Sequence, residues 1–186
     1  MDTVYVALGG NIGDAASTIT AAAKAIQALS QVEAFNISRY YLTTPISSIP
    51  QNHYVNAVCS FKTSQELVPL FAELQKIEQN LGKGVKSKDA PRVIDLDLIF
   101  YGTTNFKGLD ANGTELCVPH SGWKNRLFVL LPLLDLTDEV ILSVPDGFKK
   151  INLKEYVKNF PNPHRETIIV LKENFFRGGD GSKRSS

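Results

Sequence analysis

Two acids separated by a single residue, Asp95 and Asp97 in VIDLDLIFYG, carry the sharpest chemical signal in the chain. In an extended strand side chains alternate, so both carboxylates share one face while Ile94, Leu96, Leu98 and Phe100 take the opposite, core-facing one. Such a pair stands roughly 6 to 7 Å apart and can grip one hard cation or bracket two ions about 3.5 to 4 Å apart. A solvated strand face would carry two acids as well. Here, however, Val93 and Ile99 fall on the same face, where uncompensated charge is costly, and a bound divalent cation is the reading carried forward. Just upstream, Lys83, Lys86, Lys88 and Arg92 are opposed only by Asp89. Such a segment either neutralises the carboxylates or, beside a metal, serves a polyphosphate.

A second polar cluster, His120, Lys124 and Arg126 in VPHSGWKNRLF, is by itself compatible with a structural histidine and an arginine covering apolar surface. Tyr54 and Asn56 share a strand face, offering a flat ring beside an amide that both donates and accepts. That pairing suits a planar heterocycle with mixed edges, and equally suits cross-strand packing at a sheet edge. The glycines around Asn11 precede no GK[ST] and match no GxGxxG, so they read as turn residues. Cys59 and Cys117 lack a CxxC partner and read as buried thiols rather than a disulfide or zinc site.

The elements that must position these residues follow from periodicity. Val4, Val6 and Leu8 alternate with Tyr5 and Ala7, and Gly9 and Gly10 then break the strand. A helix capped by Asp14 carries Ile19, Ala22, Ala23, Ile26 and Leu29 on one face. Phe35, Ile37 and Tyr41 mark a second strand, residues 43–53 an irregular loop, and Tyr54 to Phe61 a third strand with Cys59 toward the core. Thr63 and Glu66 form a capping-box pattern ahead of a helix striped by Leu67, Leu70, Phe71, Leu74, Ile77 and Leu81 and ended by Gly82. The fourth strand holds Asp95 and Asp97. This order predicts an α+β fold with a ferredoxin-like βαββαβ core. Additional C-terminal elements follow: a strand over 116–118, a helix over 123–131 stopped by Pro132, a strand over 140–144, a helix over 152–159 and a closing strand over 167–171.

At 186 residues, with 43% hydrophobic and 21% charged residues, the chain is sized for one core-bearing domain, expected over 1–176 with a polar tail over 177–186. A net charge of +1 carries no footprint of a protein that coats nucleic acid or anionic membrane, so any ionic ligand must meet a local patch. The N-terminal apolar run is too short for a signal peptide and no stretch of eighteen apolar residues occurs, so the expected location is cytoplasmic.

Together the motifs resemble the 6-hydroxymethyl-7,8-dihydropterin pyrophosphokinase family over residues 4–171. PRVIDLDLIFYG, Pro91 to Gly102, is similar to the family's PRxxDLDxxxxG signature, and VPH at Val118 to His120 and NR at Asn125 and Arg126 fall in compatible order. The resemblance implies the ferredoxin-like fold and transfer of the β,γ-diphosphate of ATP to a pterin hydroxymethyl group, releasing AMP. It implies two Mg²⁺ ions on Asp95 and Asp97, with Arg92, His120 and Arg126 contacting phosphates; since a metal-activated hydroxyl needs no dedicated base, His120 is expected to be a phosphate contact rather than the general base. Lys83, Gln75 and Leu98 would complete the ATP site, with Glu78 supporting a loop. The pterin would lie between Tyr54 and Phe128 and be read by Asn56 with Thr44, Pro45 and Ile46. The loops over 43–53 and 83–92 are expected to close over bound substrates, and the chain to work beside or within a longer folate-pathway polypeptide. Four positions depart from the pattern: Asp89-Ala90 replaces an aromatic and a glycine, Gly10 a serine, and Cys117 a hydroxyl residue.

Rival readings are an RNA-binding or small-ligand regulatory module on the same sheet, and another phosphoryl or nucleotidyl transferase with the same paired acids. The first lacks a [KR]GF-type aromatic run, and a regulatory domain has no use for DLD beside Arg92.

Overall fold

The structure, a computed structural model, describes residues 1–45, 50–82, 84, 90–110, 112–161 and 167–171. The opening alternation forms β1 (Asp2–Gly10), with Val4, Val6 and Leu8 fully buried. The strand does not break at its glycines but runs through both. Helix α1 (Ala15–Gln27) is capped as expected, the Asp14 carboxylate accepting the Ser17 N–H at 3.1 Å.

The second strand is divided. β2 (Val32–Ile37) and β3 (Tyr41–Thr43) are separate segments, both paired with β4 (Tyr54–Thr63). The interruption is tied down locally: Ser38 bonds Val58 through both its N–H and its Oγ, and Arg39 turns out to Asp135. The capping box ahead of α2 (Leu67–Asn80) does not form. Thr63 belongs to β4, its hydroxyl accepts from the Gln65 N–H at 3.1 Å, and Glu66 caps without a side-chain bond. The helix ends where Gly82 adopts φ +95°, a conformation glycine takes without cost.

Strand β5 (Asp95–Tyr101) pairs with β1, giving a main sheet in the order β10-β3-β4-β1-β5 with β2 also on β4. Beyond it come the hairpin of β6 (Phe106–Leu109) and β7 (Glu115–Val118), a 3-10 turn over Trp123–Asn125, and α3 (Leu127–Leu134). The hairpin of β8 (Glu139–Val144) and β9 (Gly147–Asn152), α4 (Leu153–Lys158) and β10 (Ile168–Val170) complete the described chain. Strands β6 and β9 lack a marked apolar alternation. The helix expected over 123–131 is instead the turn plus α3. Pro132 sits inside α3 rather than stopping it, because the apolar run LFVLLPLL is pulled onto the sheet by its buried Val129, Leu130 and Leu133.

The sheet is covered on both sides. α1 and α2 bury Val4, Val6, Leu8, Ala57, Cys59, Leu96 and Leu98. On the far side α3 and the C-terminal elements bury Val58, Ile99, Phe100, Trp123 and Leu133. Phe100 therefore faces opposite to the strict alternation: the register of β5 against β1 shifts between Tyr5↔Phe100 and Val6↔Leu98, and this bulge turns two consecutive large residues to one side. Among the described residues no helix is long and apolar enough to cross a membrane.

Full burial raises the Cys59 thiol to about 12 by disfavouring the thiolate, whereas Cys117, expected to be buried as well, is only partly so, at the end of the β6–β7 hairpin. An aromatic disulfide reagent at pH 8 should therefore titrate one thiol in the native protein and two in denaturant; two equivalents at equal native rates would contradict this packing.

Candidate active site

The far-side layer stops short of one end of the sheet, and there a cleft of about 300 Å³ opens. Its floor is set by register. Gly9 stands between Asn56 on β4 and Asp95 on β5, and Ala7 between Val58 and Asp97. These four side chains and the two small floor residues all point to the far face. The floor is shallow because nothing larger fits: a Cβ on Gly9 would come within 2.8 Å of Asn56 Oδ1.

Asp95 and Asp97 both line the cleft, so the paired-carboxylate reading stands on shared orientation. Their charge is compensated from two separate segments. Arg92 Nη1 donates to Asp95 at 2.5 Å, and Arg126 Nη1 donates to Asp97 at 3.0 Å. His120 Nε2 lies 3.7 Å from Asp97, while its Nδ1 accepts the Gly122 N–H at 3.1 Å. The neutral ring therefore carries its proton on Nε2, toward the cleft. Burial holds this imidazole below its ordinary range, reinforced by Arg126 and opposed by Asp97 and Asp95.

Local structure fixes each cation. Asn11, buried just after β1, accepts the Arg92 N–H on Oδ1 at 2.7 Å and donates its own N–H to the Arg92 carbonyl at 2.8 Å. Its Nδ2 reaches Gln51 Oε1 at 3.0 Å and the Asn52 carbonyl at 3.2 Å. One amide thus joins the segments on either side of the cleft. Gly10 serves the same approach: a Cβ there would lie 2.4 Å from the Val93 carbonyl. On the other side, Trp123 is buried against Phe100 with ring centroids 5.0 Å apart, and His120 N–H donates to the Ile99 carbonyl at 3.0 Å. Gly122 leaves room for the Arg126 guanidinium, which would stand 2.9 Å from an added Cβ.

Tyr54, Phe128, Thr44 and Pro45 also line the cleft, with the Arg126 guanidinium 5.8 Å from the centre of the Phe128 ring. Asn56 Nδ2 donates to Thr43 Oγ1 at 2.8 Å, which commits one edge of the amide to the protein. Thr43 and Gln51 line the cleft too and escaped the sequence reading, as did Ala7. Their only sequence signal was position: a small residue two before Gly9, and polar residues flanking the loop. Two expected ATP residues are not brought into the cleft. The Leu98 side chain is 2% exposed in the opposite core, and Gln75 lies half-buried on α2 outside the lining. Ile46, Lys83, Lys86, Lys88 and Asp89 lie outside the described residues. Glu78 does not support a loop alone: its Oε1 accepts the Leu96 N–H at 2.6 Å, on the acid-bearing strand. No cluster of three His, Cys, Asp or Glu exists among the described residues, so a cation here would draw two carboxylates from the protein.

An antiparallel sheet covered on both faces except at one open end, where paired carboxylates and guanidiniums stand beside aromatic and amide side chains, defines an α+β protein with a charged, ring-lined cleft. The chain belongs to the 7,8-dihydro-6-hydroxymethylpterin-pyrophosphokinase (HPPK) family, whose model matches residues 5–138. It is 33% identical over 142 residues to the 2-amino-4-hydroxy-6-hydroxymethyldihydropteridine pyrophosphokinase of Haemophilus influenzae, covering 76% of this chain and 86% of that one. It is 27% identical over 191 residues to the bifunctional protein FolKE of Lactococcus lactis, spanning 99% of this chain but 53% of that protein. A solved Plasmodium falciparum HPPK-DHPS with pteroate shares the fold at TM-score 0.65 and 12% identity, over 84% of this chain and 44% of that one.

Two outcomes test this geometry. Asn11→Ala should cost about 2 kcal/mol in urea unfolding and speed amide exchange at Arg92, while Asn11→Asp, which keeps the acceptor for that N–H, should protect it. For His120 the folded chain takes up the proton less readily than the unfolded one. Stability should thus be full above the ordinary value near 6.5 and fall as pH drops below it, and His120→Gln should flatten that part of the curve.

Proposed function

We propose that the chain transfers the β,γ-diphosphate of ATP to the hydroxymethyl oxygen of 6-hydroxymethyl-7,8-dihydropterin, giving AMP and the pterin diphosphate. Family membership and the names of the relatives support the reaction. The observation that carries it at the level of residues is the floor row Asn56–Gly9–Asp95, which sets a heterocycle corner and a polyphosphate corner side by side in one cleft. The strand order supports reading the core as ferredoxin-like, and the cytoplasm as the place of action. The bifunctional relatives support a chain that works beside, or joined to, another folate-pathway enzyme.

The donor set fits Mg²⁺: hard carboxylate oxygens supplied by Asp95 and Asp97, with substrate phosphates and water left to complete octahedral shells. Two such ions would polarise the transferring phosphoryl group and neutralise its charge. Arg92 and Arg126 already lie against the carboxylates and offer charge-assisted hydrogen bonds to triphosphate oxygens that compete for them. His120 donates through Nε2 to the same phosphates and removes no proton. Tyr54 and Phe128 hold the pterin ring, and Asn56, oriented by Thr43, reads its edge together with Thr44 and Pro45. Ile46 and Lys83, outside the described residues, extend the pterin and ATP sites in this reading, Gln75 approaches ATP from α2, and Leu98 contributes through its backbone. In-line attack on the β-phosphorus then needs alignment more than covalent help.

Phosphorus NMR of the protein with ATP, Mg²⁺ and the hydroxymethyl-dihydropterin should show AMP and a pterin diphosphate; ADP would overturn the assignment. Asp97→Asn should lower turnover by about 10²-fold or more with pterin binding retained.

A further inference from the structure

β5 is the edge of the main sheet, so every second backbone group on its outer side lacks a strand partner. Asp95, Leu96 and Asp97 pair with Gly9, Leu8 and Ala7, and in an antiparallel ladder the N–H groups of alternate residues point to opposite sides. The Leu96 N–H, between the two aspartates, points outward. Glu78, in the last turn of α2, meets it at 2.6 Å. Glu78 is 5% exposed, although Glu is a residue type rarely buried without a specific partner. A strong, buried acceptor thus grips the Asp95–Leu96 peptide, one of the two peptide units between the acids.

We propose that Glu78 is a positioning residue for the cation site: by fixing the Leu96 peptide it holds Asp95 and Asp97 at the separation a divalent ion requires. The inference rests on the proposed metal role of those aspartates. Glu78 is not among the residues that line the cleft, so it acts as a support behind the ligands, of the kind whose loss weakens metal affinity by about 10- to 100-fold. The effect belongs to the acceptor rather than to the charge, because the bond is made to a backbone N–H.

Mn²⁺ binding in the presence of a non-hydrolysable ATP analogue, read by electron paramagnetic resonance, tests this alongside pterin affinity by fluorescence and thermal unfolding. Glu78→Met should weaken Mn²⁺ about tenfold or more while pterin affinity stays within about twofold, and Glu78→Gln, which keeps an acceptor without the charge, should restore Mn²⁺ binding to within about threefold. Unchanged Mn²⁺ binding in folded Glu78→Met, an equal loss of pterin affinity, or failure of Gln to restore binding would each overturn the proposal. Should Glu78→Met not fold, Glu78→Asp, one methylene too short to reach, carries the same criteria. Asp97→Asn is the reference: if it binds Mn²⁺ like the wild type, the metal reading itself fails, independently of Glu78.

Discussion

The structure depends on one constraint in β1: the two residues that face the cleft at its end must be small. Gly9 and Ala7 lie between β4 and β5, and every residue that could recognise a ring or bind a cation is measured from them. The outer strands are two spacings apart, about 9 to 10 Å, so Asn56 and Asp95 flank a trough rather than touch. A side chain at position 9 would fill that trough and strike Asn56. The backbone then supplies the groove and leaves all the chemistry to the flanking strands. On the proposed reaction, this width is what brings a ring on one side within one hydroxymethyl group of a phosphate chain on the other.

Electrostatics explains how two carboxylates can share such a place. Each is matched by an arginine that arrives on its own anchored segment, Arg92 through Asn11 and Arg126 through the buried Trp123. The carboxylates are thus neutralised without being consumed, since both ion pairs remain partly exposed and weak enough to exchange partners. A polyanion bound with divalent cations offers each member a new partner of opposite sign, so no charge has to be stranded during binding. Preorganisation here means that the cations are held near where phosphates would come before any ligand arrives.

Much of this was legible in the residues. Alternation and helical periodicity gave β1, α1, β4, α2 and β5 because each buries an apolar stripe against a neighbour, and a strand period of two put Asp95 and Asp97 on one face. Chemistry-bearing residues far apart in sequence, Tyr54, Arg92, His120 and Arg126, were singled out by type and local pattern and given roles by the resemblance, which added Phe128, and all line the cleft. What escaped depends on tertiary context. Gly9 and Gly10 look like a turn, since nothing local tells a glycine that bends the chain from one that lets another strand approach. Asn11 looked like a turn residue for the same reason, its role being set by partners at Gln51, Asn52 and Arg92. Thr63 and Glu66 fit a capping box in spacing, but pairing to β1 holds Thr63 in the strand. The strict period of two failed at Phe100 because a one-residue shift in register cannot be read from one strand alone.

That shift carries more than packing. By turning both Ile99 and Phe100 to the far side, the bulge gives the second core two adjacent large side chains just beyond the acids. Trp123 packs on Phe100, and the Ile99 carbonyl, on the outer edge, receives the His120 N–H. The turn so anchored delivers His120 ahead of it and Arg126 at its end, while α3 begins at once and sets the Phe128 ring beside that guanidinium in the cleft. A regular β5 would point Phe100 into the α1 and α2 layer and leave the 120–126 segment without its apolar anchor. The irregularity therefore couples the stability of the C-terminal layer to the placement of the cationic groups, and the edge of β5 is secured twice, by Glu78 at Leu96 and by this turn at Ile99. An edge strand held at both points is rigid where its carboxylates must be, although it has a neighbour on one side only.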